Sequence, residues 1–252
     1  MKILPKQNQA FLYLNYACNM KCEACYFEKT GYQKTFEEIK KEIEMLEDYR
    51  QLDCILLGGG EPTLHPELIR IIEYITSLGK ETILVTNGTK TDDFNKYKEA
   101  GLNHIVLHID EKQSISVDRE EVATKVVEAN MLCSLTIIIY QDTIQNLNDT
   151  IDYVLDSDLF HGLIANCATY SFGGDESKSV KLTEVRKILD KRGLEPDFYI
   201  PSVSGEVRWL LYNGDKVLHF EQFASSKEDH CVDCPDITVY KGKIIPSCCA
   251  IQ

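Results

Sequence analysis

From residue 11 to about 193, short continuous apolar runs alternate with stretches whose apolar residues recur at helical spacing. The runs at 54–57, 105–107 and 137–139 are apolar throughout. Such runs suit strands of a parallel sheet covered on both faces. Between them, Phe36, Ile39, Ile43 and Leu46 mark one face of a helix over 36–49, opened by the capping box Thr35-Phe36-Glu37-Glu38. Leu68, Ile71, Ile72 and Ile75 mark a second helix over 67–78, which Gly79 ends. Further strands are expected at 11–17, 82–86, 104–109, 135–140 and 162–165, with helices at 92–100, 119–130, 147–156 and 183–192. About six strand–helix units result, fewer than the eight of a closed (β/α)8 barrel. The class is α/β, an open sheet or an incomplete barrel. In either architecture ligands gather at the carboxyl ends of the strands.

The texture changes after residue 200. Residues 207–212 and 216–223 flank Asn213-Gly214, a type I′ hairpin signal. Residues 238–240 and 243–245 flank Lys241-Gly242 as a second, smaller hairpin, and Pro196 and Pro201 mark the boundary. The whole chain is 252 residues, room for one large domain or one domain with a small appendage. Its formal charge of −13 argues against nucleic acid or an anionic membrane as the default partner. The first ten residues lack the apolar core of a secretory signal, and no run approaches the ~20 apolar residues of a membrane span. A cytoplasmic protein is therefore expected, with its thiols kept reduced.

That expectation gives weight to the ten cysteines, which are clustered. Cys18, Cys22 and Cys25 follow the first expected strand directly, on a loop at its carboxyl end. Zinc wants four ligands, commonly in C-x2-C pairs, and no fourth Cys or His lies close by in sequence. Three cysteines on a [4Fe–4S] cluster leave one iron open, which a reactive cluster needs. The spacing C-x3-C-x2-C on the loop after the first strand resembles the hallmark of the radical SAM superfamily. That resemblance implies a partial (β/α)6 barrel over residues 1–195 and a [4Fe–4S] cluster on Cys18, Cys22 and Cys25. It further implies S-adenosylmethionine (SAM) chelated at the open iron and cleaved to a 5′-deoxyadenosyl radical. Ala24 stands where the family usually has an aromatic residue, and Tyr26 and Phe27 follow at once.

One strand–helix unit later, Gly58-Gly59-Gly60-Glu61-Pro62 ends the apolar run. Glycines there allow close backbone approach to a ligand. The segment resembles the family's GGE motif, which implies that Gly59, Gly60 and Glu61 hold the methionine ammonium. Asn87, in a Thr-Asn-Gly turn after the third strand, and His108 and Asp110, at the end of the fourth, are further cofactor-site candidates by the same resemblance.

A second cysteine group lies at the C-terminus. Cys231 and Cys234 precede the smaller hairpin, and Cys248 and Cys249 follow it. A zinc knuckle would explain this layout. The stretch also resembles the SPASM and Twitch extensions, which implies a second iron–sulfur cluster within residues 196–252. Cys231, Cys234 and one of the adjacent pair are the favoured ligands, with Cys167, at the end of the sixth strand, as a fourth; alternatively Cys167 or Cys249 is an active-site thiol that returns a hydrogen atom to a substrate radical. Cys54 and Cys133 read as core residues. The resemblance implies hydrogen abstraction from a small molecule or a peptide, leading to oxidation, crosslinking or epimerisation, with an external electron donor such as a flavodoxin or ferredoxin. Only about ten residues precede the first strand, so no fused leader-peptide module is expected. An activating enzyme for a glycyl-radical partner is the nearest alternative, and a non-catalytic zinc-ribbon module is the alternative from another class.

Overall fold

The structure is a computed structural model and describes residues 2–3, 8–22, 25, 27–108, 116–168, 176–202, 205–222 and 236–246. Among them are the strands β1 (Lys2–Ile3), β2 (Gln9–Asn15), β3 (Cys54–Gly59), β4 (Glu81–Thr86), β5 (His104–His108), β6 (Leu132–Ile139), β7 (Gly162–Cys167), β8 (Phe198–Ser202), β9 (Gly205–Asn213), β10 (Lys216–Gln222), β11 (Asp236–Tyr240) and β12 (Lys243–Pro246). The α-helices are α1 (Phe36–Tyr49), α2 (Leu68–Ser77), α3 (Phe94–Glu99), α4 (Arg119–Glu128), α5 (Leu147–Asp156) and α6 (Leu182–Lys191). No helix among the described residues is long and apolar enough to cross a membrane.

The chain forms two compact units. One comprises residues 7–23, 27–133 and 235–252, and the other residues 1–6, 24–26 and 134–234. In the first, the strand order is β5-β4-β3-β2-β11-β12. Strands β2 to β5 are parallel, as continuous apolar runs joined by helices require. Register aligns Leu12, Leu57, Leu84 and Ile105 in one row, and all four are fully buried. The opposite face carries Phe11, Leu56, Ile83, Val85 and His108, which are only half-buried. The first face is therefore the one the helices cover. The apolar stripes read from the sequence are its counterpart: Ile39, Ile43 and Leu46 on α1 and Ile71, Ile72 and Ile75 on α2 are all fully buried. Each contributes roughly 1.5–3 kcal/mol by burial. The capping box at Thr35 forms as expected, its hydroxyl accepting from the Glu38 N–H while the Glu38 carboxylate accepts from the Thr35 N–H.

In the second unit the order is β1-β8-β9-β10-β7-β6. Strands β6, β7 and β10 are parallel, and β8, β9 and β10 run antiparallel to one another in sequence. The hairpin β9–β10 thus extends this sheet, because β10 lies parallel against β7 over six residue pairs. Its two-residue loop is Gly214-Asp215, since Asn213 pairs with Lys216. Of these two only Gly214 has positive φ, so the turn is of the II′ kind, not the I′ turn expected one residue earlier. Pro201 does not end the sheet. It lies within β8 at a register shift, a place where a missing N–H is tolerated. The second hairpin belongs to the first unit, with Asp236 of β11 beside Gln9 of β2. Parallel strands linked by helices dominate the chain, an α/β fold consistent with a partial (β/α) barrel.

Candidate active site

Strands β2 and β3 are neighbours, so the cysteine loop and the glycine loop leave them side by side. The two loops are joined by backbone hydrogen bonds. The Gly60 N–H donates to the Asn15 carbonyl at 3.0 Å and the Glu61 N–H to the Ala17 carbonyl at 2.8 Å. A Cβ on Gly60 would stand 2.0 Å from the Ala17 carbonyl oxygen, so only glycine permits this apposition. Gly59 has φ +133°, a conformation side chains rarely adopt.

Glu61 is 1% exposed, and its carboxylate accepts four hydrogen bonds from the protein. Oε1 accepts from the Thr63 N–H at 3.0 Å, the Thr63 hydroxyl at 2.6 Å and the Thr86 hydroxyl at 2.6 Å. Oε2 accepts from the Asn87 N–H at 2.8 Å. An oxygen of this kind offers about two lone pairs, so Oε2 retains one direction for a further donor. The Glu61 carbonyl accepts from Asn15 Nδ2 at 2.9 Å, and Asn15 Oδ1 is buried without a hydrogen-bond partner. Buried acceptors next to a carboxylate form the environment an ammonium group requires.

Asn87 is also buried, but its side chain points at protein neighbours. Nδ2 donates to Asn19 Oδ1 at 3.0 Å, and Oδ1 accepts from the Thr89 hydroxyl at 2.6 Å. Asn19 lies between Cys18 and Cys22, so the loop after β4 grips the cysteine loop directly. Met20, 1% exposed, is the second anchor of that loop, and its carbonyl accepts from Lys29 Nζ at 2.8 Å. Cys18 and Cys22 are half-buried and Cys25 is exposed, none of them in a disulfide. Among the described residues, no group of three His, Cys, Asp or Glu side chains is drawn together closely enough to hold a metal ion. The donor chemistry fits a thiolate-ligated cluster: half-buried or exposed cysteines on a strand-end loop, with Cys18 Sγ accepting from the Met20 N–H at 3.4 Å. Phe27 stacks on Tyr16 with ring centroids 4.9 Å apart.

His108 ends β5 on the half-buried face. Asp110, Cys231, Cys234, Cys248 and Cys249 lie outside the described residues. Cys167 is in the core. It is fully buried in line with Leu163 and Ala165, and burial, with the Glu184 and Glu221 charges adding to it, pushes its thiol up to about 12. Its register partner Gln222 accepts the Leu182 N–H at the start of α6, so this is the helix-covered face. The thiol stands on this covered side of β7, and Asn166 on the half-buried one. Cys54 and Cys133 are buried as expected. Sequence reasoning missed Asn15, Asn19, Thr63, Thr86 and Thr89. Only Asn19 carried a signal, as a bonding amide inside the cysteine motif.

The family description Radical SAM superfamily matches residues 12–154. A protein of Methanocaldococcus jannaschii, provisionally named a glycyl-radical enzyme activating enzyme, is 36% identical over 96 residues, 37% of this chain and 37% of its own length. The subtilosin biosynthesis protein AlbA of Bacillus subtilis is 34% identical over 88 residues, 34% of this chain and 19% of its own length. The chain thus spans well under half of these relatives. Streptococcus suis SuiB, in a crystal structure with S-adenosylmethionine, superposes with TM-score 0.63 at 15% identity, over 97% of this chain and 61% of SuiB. A second SuiB structure, bound to the precursor peptide SuiA, superposes with TM-score 0.60 at 16% identity, over 78% of this chain and 49% of SuiB. With the family pattern covering more than half of its length, from β2 into α5, the chain belongs to the radical SAM superfamily of enzymes.

Proposed function

We propose that this enzyme cleaves SAM reductively and abstracts hydrogen from a peptide or small-molecule substrate. The observation that carries the reading is the backbone stitching of the GGGEP loop to the cysteine loop, at 2.8 and 3.0 Å, in a chain of this superfamily. When bound, a [4Fe–4S] cluster supplies the electron that splits SAM into methionine and a 5′-deoxyadenosyl radical. In this reading Cys18, Cys22 and Cys25 hold the cluster and leave one iron for the methionine amino and carboxylate groups. The carbonyls of Gly59 and Gly60 and the open side of Glu61 Oε2 accept from the ammonium. His108 and Asp110 are assigned toward the ribose or the methionine carboxylate. Asn87 serves the site through its neighbours, because its side chain is engaged with Asn19 and Thr89.

The electron comes from an external donor of the flavodoxin or ferredoxin kind. A peptide substrate is favoured by the likeness to SuiB with its precursor peptide and by the subtilosin relative. The M. jannaschii relative's name favours a second reading, activation of a glycyl-radical protein. A second iron–sulfur cluster on Cys231, Cys234 and the Cys248-Cys249 pair would let the enzyme take an electron back from the substrate radical. The β11–β12 register supports that grouping, since Ile237 pairs with Pro246 and the cysteines flank the open end of the hairpin in sequence. Oxidation and crosslinking fit this electron withdrawal, whereas epimerisation would instead need a thiol to return a hydrogen atom to the substrate radical; the reaction is assigned to the cytoplasm.

Anaerobic reconstitution tests it. Wild-type protein should take up about eight irons, and the Cys231→Ala/Cys234→Ala variant about four. Reduction with dithionite and SAM should release 5′-deoxyadenosine. The Cys22→Ala variant should release none, and release from that variant would sink the proposal. Zinc in place of iron would favour the interaction module instead.

A further inference from the structure

The side chains of Asn19, Asn87 and Thr89 close a ring of hydrogen bonds. Asn87 Nδ2 donates to Asn19 Oδ1 at 3.0 Å, Asn19 Nδ2 donates to Thr89 Oγ1 at 2.7 Å, and the Thr89 hydroxyl donates to Asn87 Oδ1 at 2.6 Å. Every member donates once and accepts once around the ring, the arrangement in which each bond polarises the next. An Asx turn alone accounts for the Thr89 N–H donating to Asn87 Oδ1 at 3.0 Å. It does not account for Asn19, which is 68 residues from Asn87 in the chain. The ring continues inward, because the Asn87 N–H is the donor on Glu61 Oε2. A single path of hydrogen bonds therefore runs from the cysteine loop after β2, through the loop after β4, to the glycine loop after β3.

Resting on the proposed SAM chemistry, we infer that Asn19, Asn87 and Thr89 are positioning residues that hold the cysteine loop at a set distance from the SAM-binding loop. None of the three carries a charge, and none needs to touch the cofactor. Cys18 and Cys22 flank Asn19, so the ring acts on the segment between two cluster ligands. Met20 pins the same segment from its buried side. Loss of the ring leaves Met20 in place, which predicts a loop that still binds iron but is less well aligned with SAM.

The test uses the full-length chain with Asn19→Ala, Asn87→Ala, the double variant, Thr89→Val and Thr89→Ser. Amide exchange over residues 16–22 is measured before cluster loading. Iron content, SAM affinity and the electron paramagnetic resonance shift induced by SAM are measured after it. Asn19→Ala, Asn87→Ala and Thr89→Val should each speed exchange in this loop and weaken SAM binding about tenfold, the effect of one or two lost hydrogen bonds. Iron content should stay at the wild-type level, and the SAM-induced spectral shift should shrink. The double variant should be no worse than either single one, and Thr89→Ser, which keeps the hydroxyl, should match wild type. Unchanged exchange in Asn19→Ala, additive effects of Asn19→Ala and Asn87→Ala, or a Thr89→Ser variant as impaired as Thr89→Val would each overturn the inference. A wild-type protein that takes up no iron would instead overturn the SAM reading, and the exchange measurements would still decide the role of the ring.

Discussion

Glu61 Oε2 accepts the backbone N–H of Asn87 at 2.8 Å, a bond between residues 26 apart that joins the loops after β3 and β4. The carboxylate is acceptor-only, and every partner around it is a donor. This makes the position suited to a side chain with acceptors on both branches, whatever else binds there.

Glu61→Gln should therefore destabilise the fold as well as weaken SAM binding. An amide keeps one oxygen and introduces an NH2 group. On one side that group meets the Thr63 N–H and two hydroxyls, and on the other the Asn87 N–H. The resulting unsatisfied buried donors cost about 1–3 kcal/mol. Urea denaturation of the unloaded variant measures this directly, and stability equal to wild type would contradict it.

Gly60→Ala should lower stability by at least about 1–3 kcal/mol, the usual range for overpacking. The obstruction is the backbone carbonyl of Ala17, which has no rotamer through which to withdraw. A thermal melt should show the loss, together with reduced iron uptake as the two loops separate.

Cys167 should behave as a core thiol. With its pKa pushed up to about 12 by burial, about one molecule in ten thousand carries the thiolate at pH 8. Iodoacetamide followed by mass spectrometry should find Cys167 unmodified in the native protein and modified in urea. Cys167→Ala should leave substrate product formed per 5′-deoxyadenosine released at the wild-type level, and a more than tenfold fall in product while 5′-deoxyadenosine release continues at unchanged stability would restore it as a candidate hydrogen donor.

Glu221 gives the fold an acid limb. Arg208 Nη2 donates to its Oε1 at 2.9 Å, and His219 Nε2 lies 3.2 Å from Oε2. Burial works against the charged carboxylate, but Arg208, followed by His219, outweighs it and holds the group at about 2, against 4.5 when unperturbed. A depressed acid stabilises fully above its unfolded pKa and loses that contribution as pH falls through the folded one. Stability should thus decline from about pH 4.5 toward pH 2. Glu221→Gln should lose about 1.5–3 kcal/mol at neutral pH, the range for a hydrogen bond to a charged group. The gap between the two proteins in urea titrations should narrow across that acid window.

The alternation of apolar runs with helical stripes was enough to place β2 to β7 and α1 to α6, because burial on two faces and on one stripe leave different periods in the chain. The cysteine spacing and the GGGEP run pointed to the reaction class, because thiolate ligands and close backbone approach each admit few residue types. Other features were not legible. The hairpin β9–β10 carried a clear turn signal but nothing to say that β10 would lie parallel to β7, since partner choice depends on which sheet edge is open. Cys167 looked like Cys18 or Cys22 as a residue type, and only the side of β7 it occupies separates a core thiol from a ligand. Thr86 is an ordinary threonine until the fold brings it to Glu61, 25 residues away in the chain, whereas Thr63 and Thr89 bond residues two positions away. Local sequence thus determined the elements and the chemistry at each strand end. Hydrogen bonds between residues as far apart as Asn19 and Asn87 arise only when separate strands are laid side by side, and the tertiary structure alone decided those.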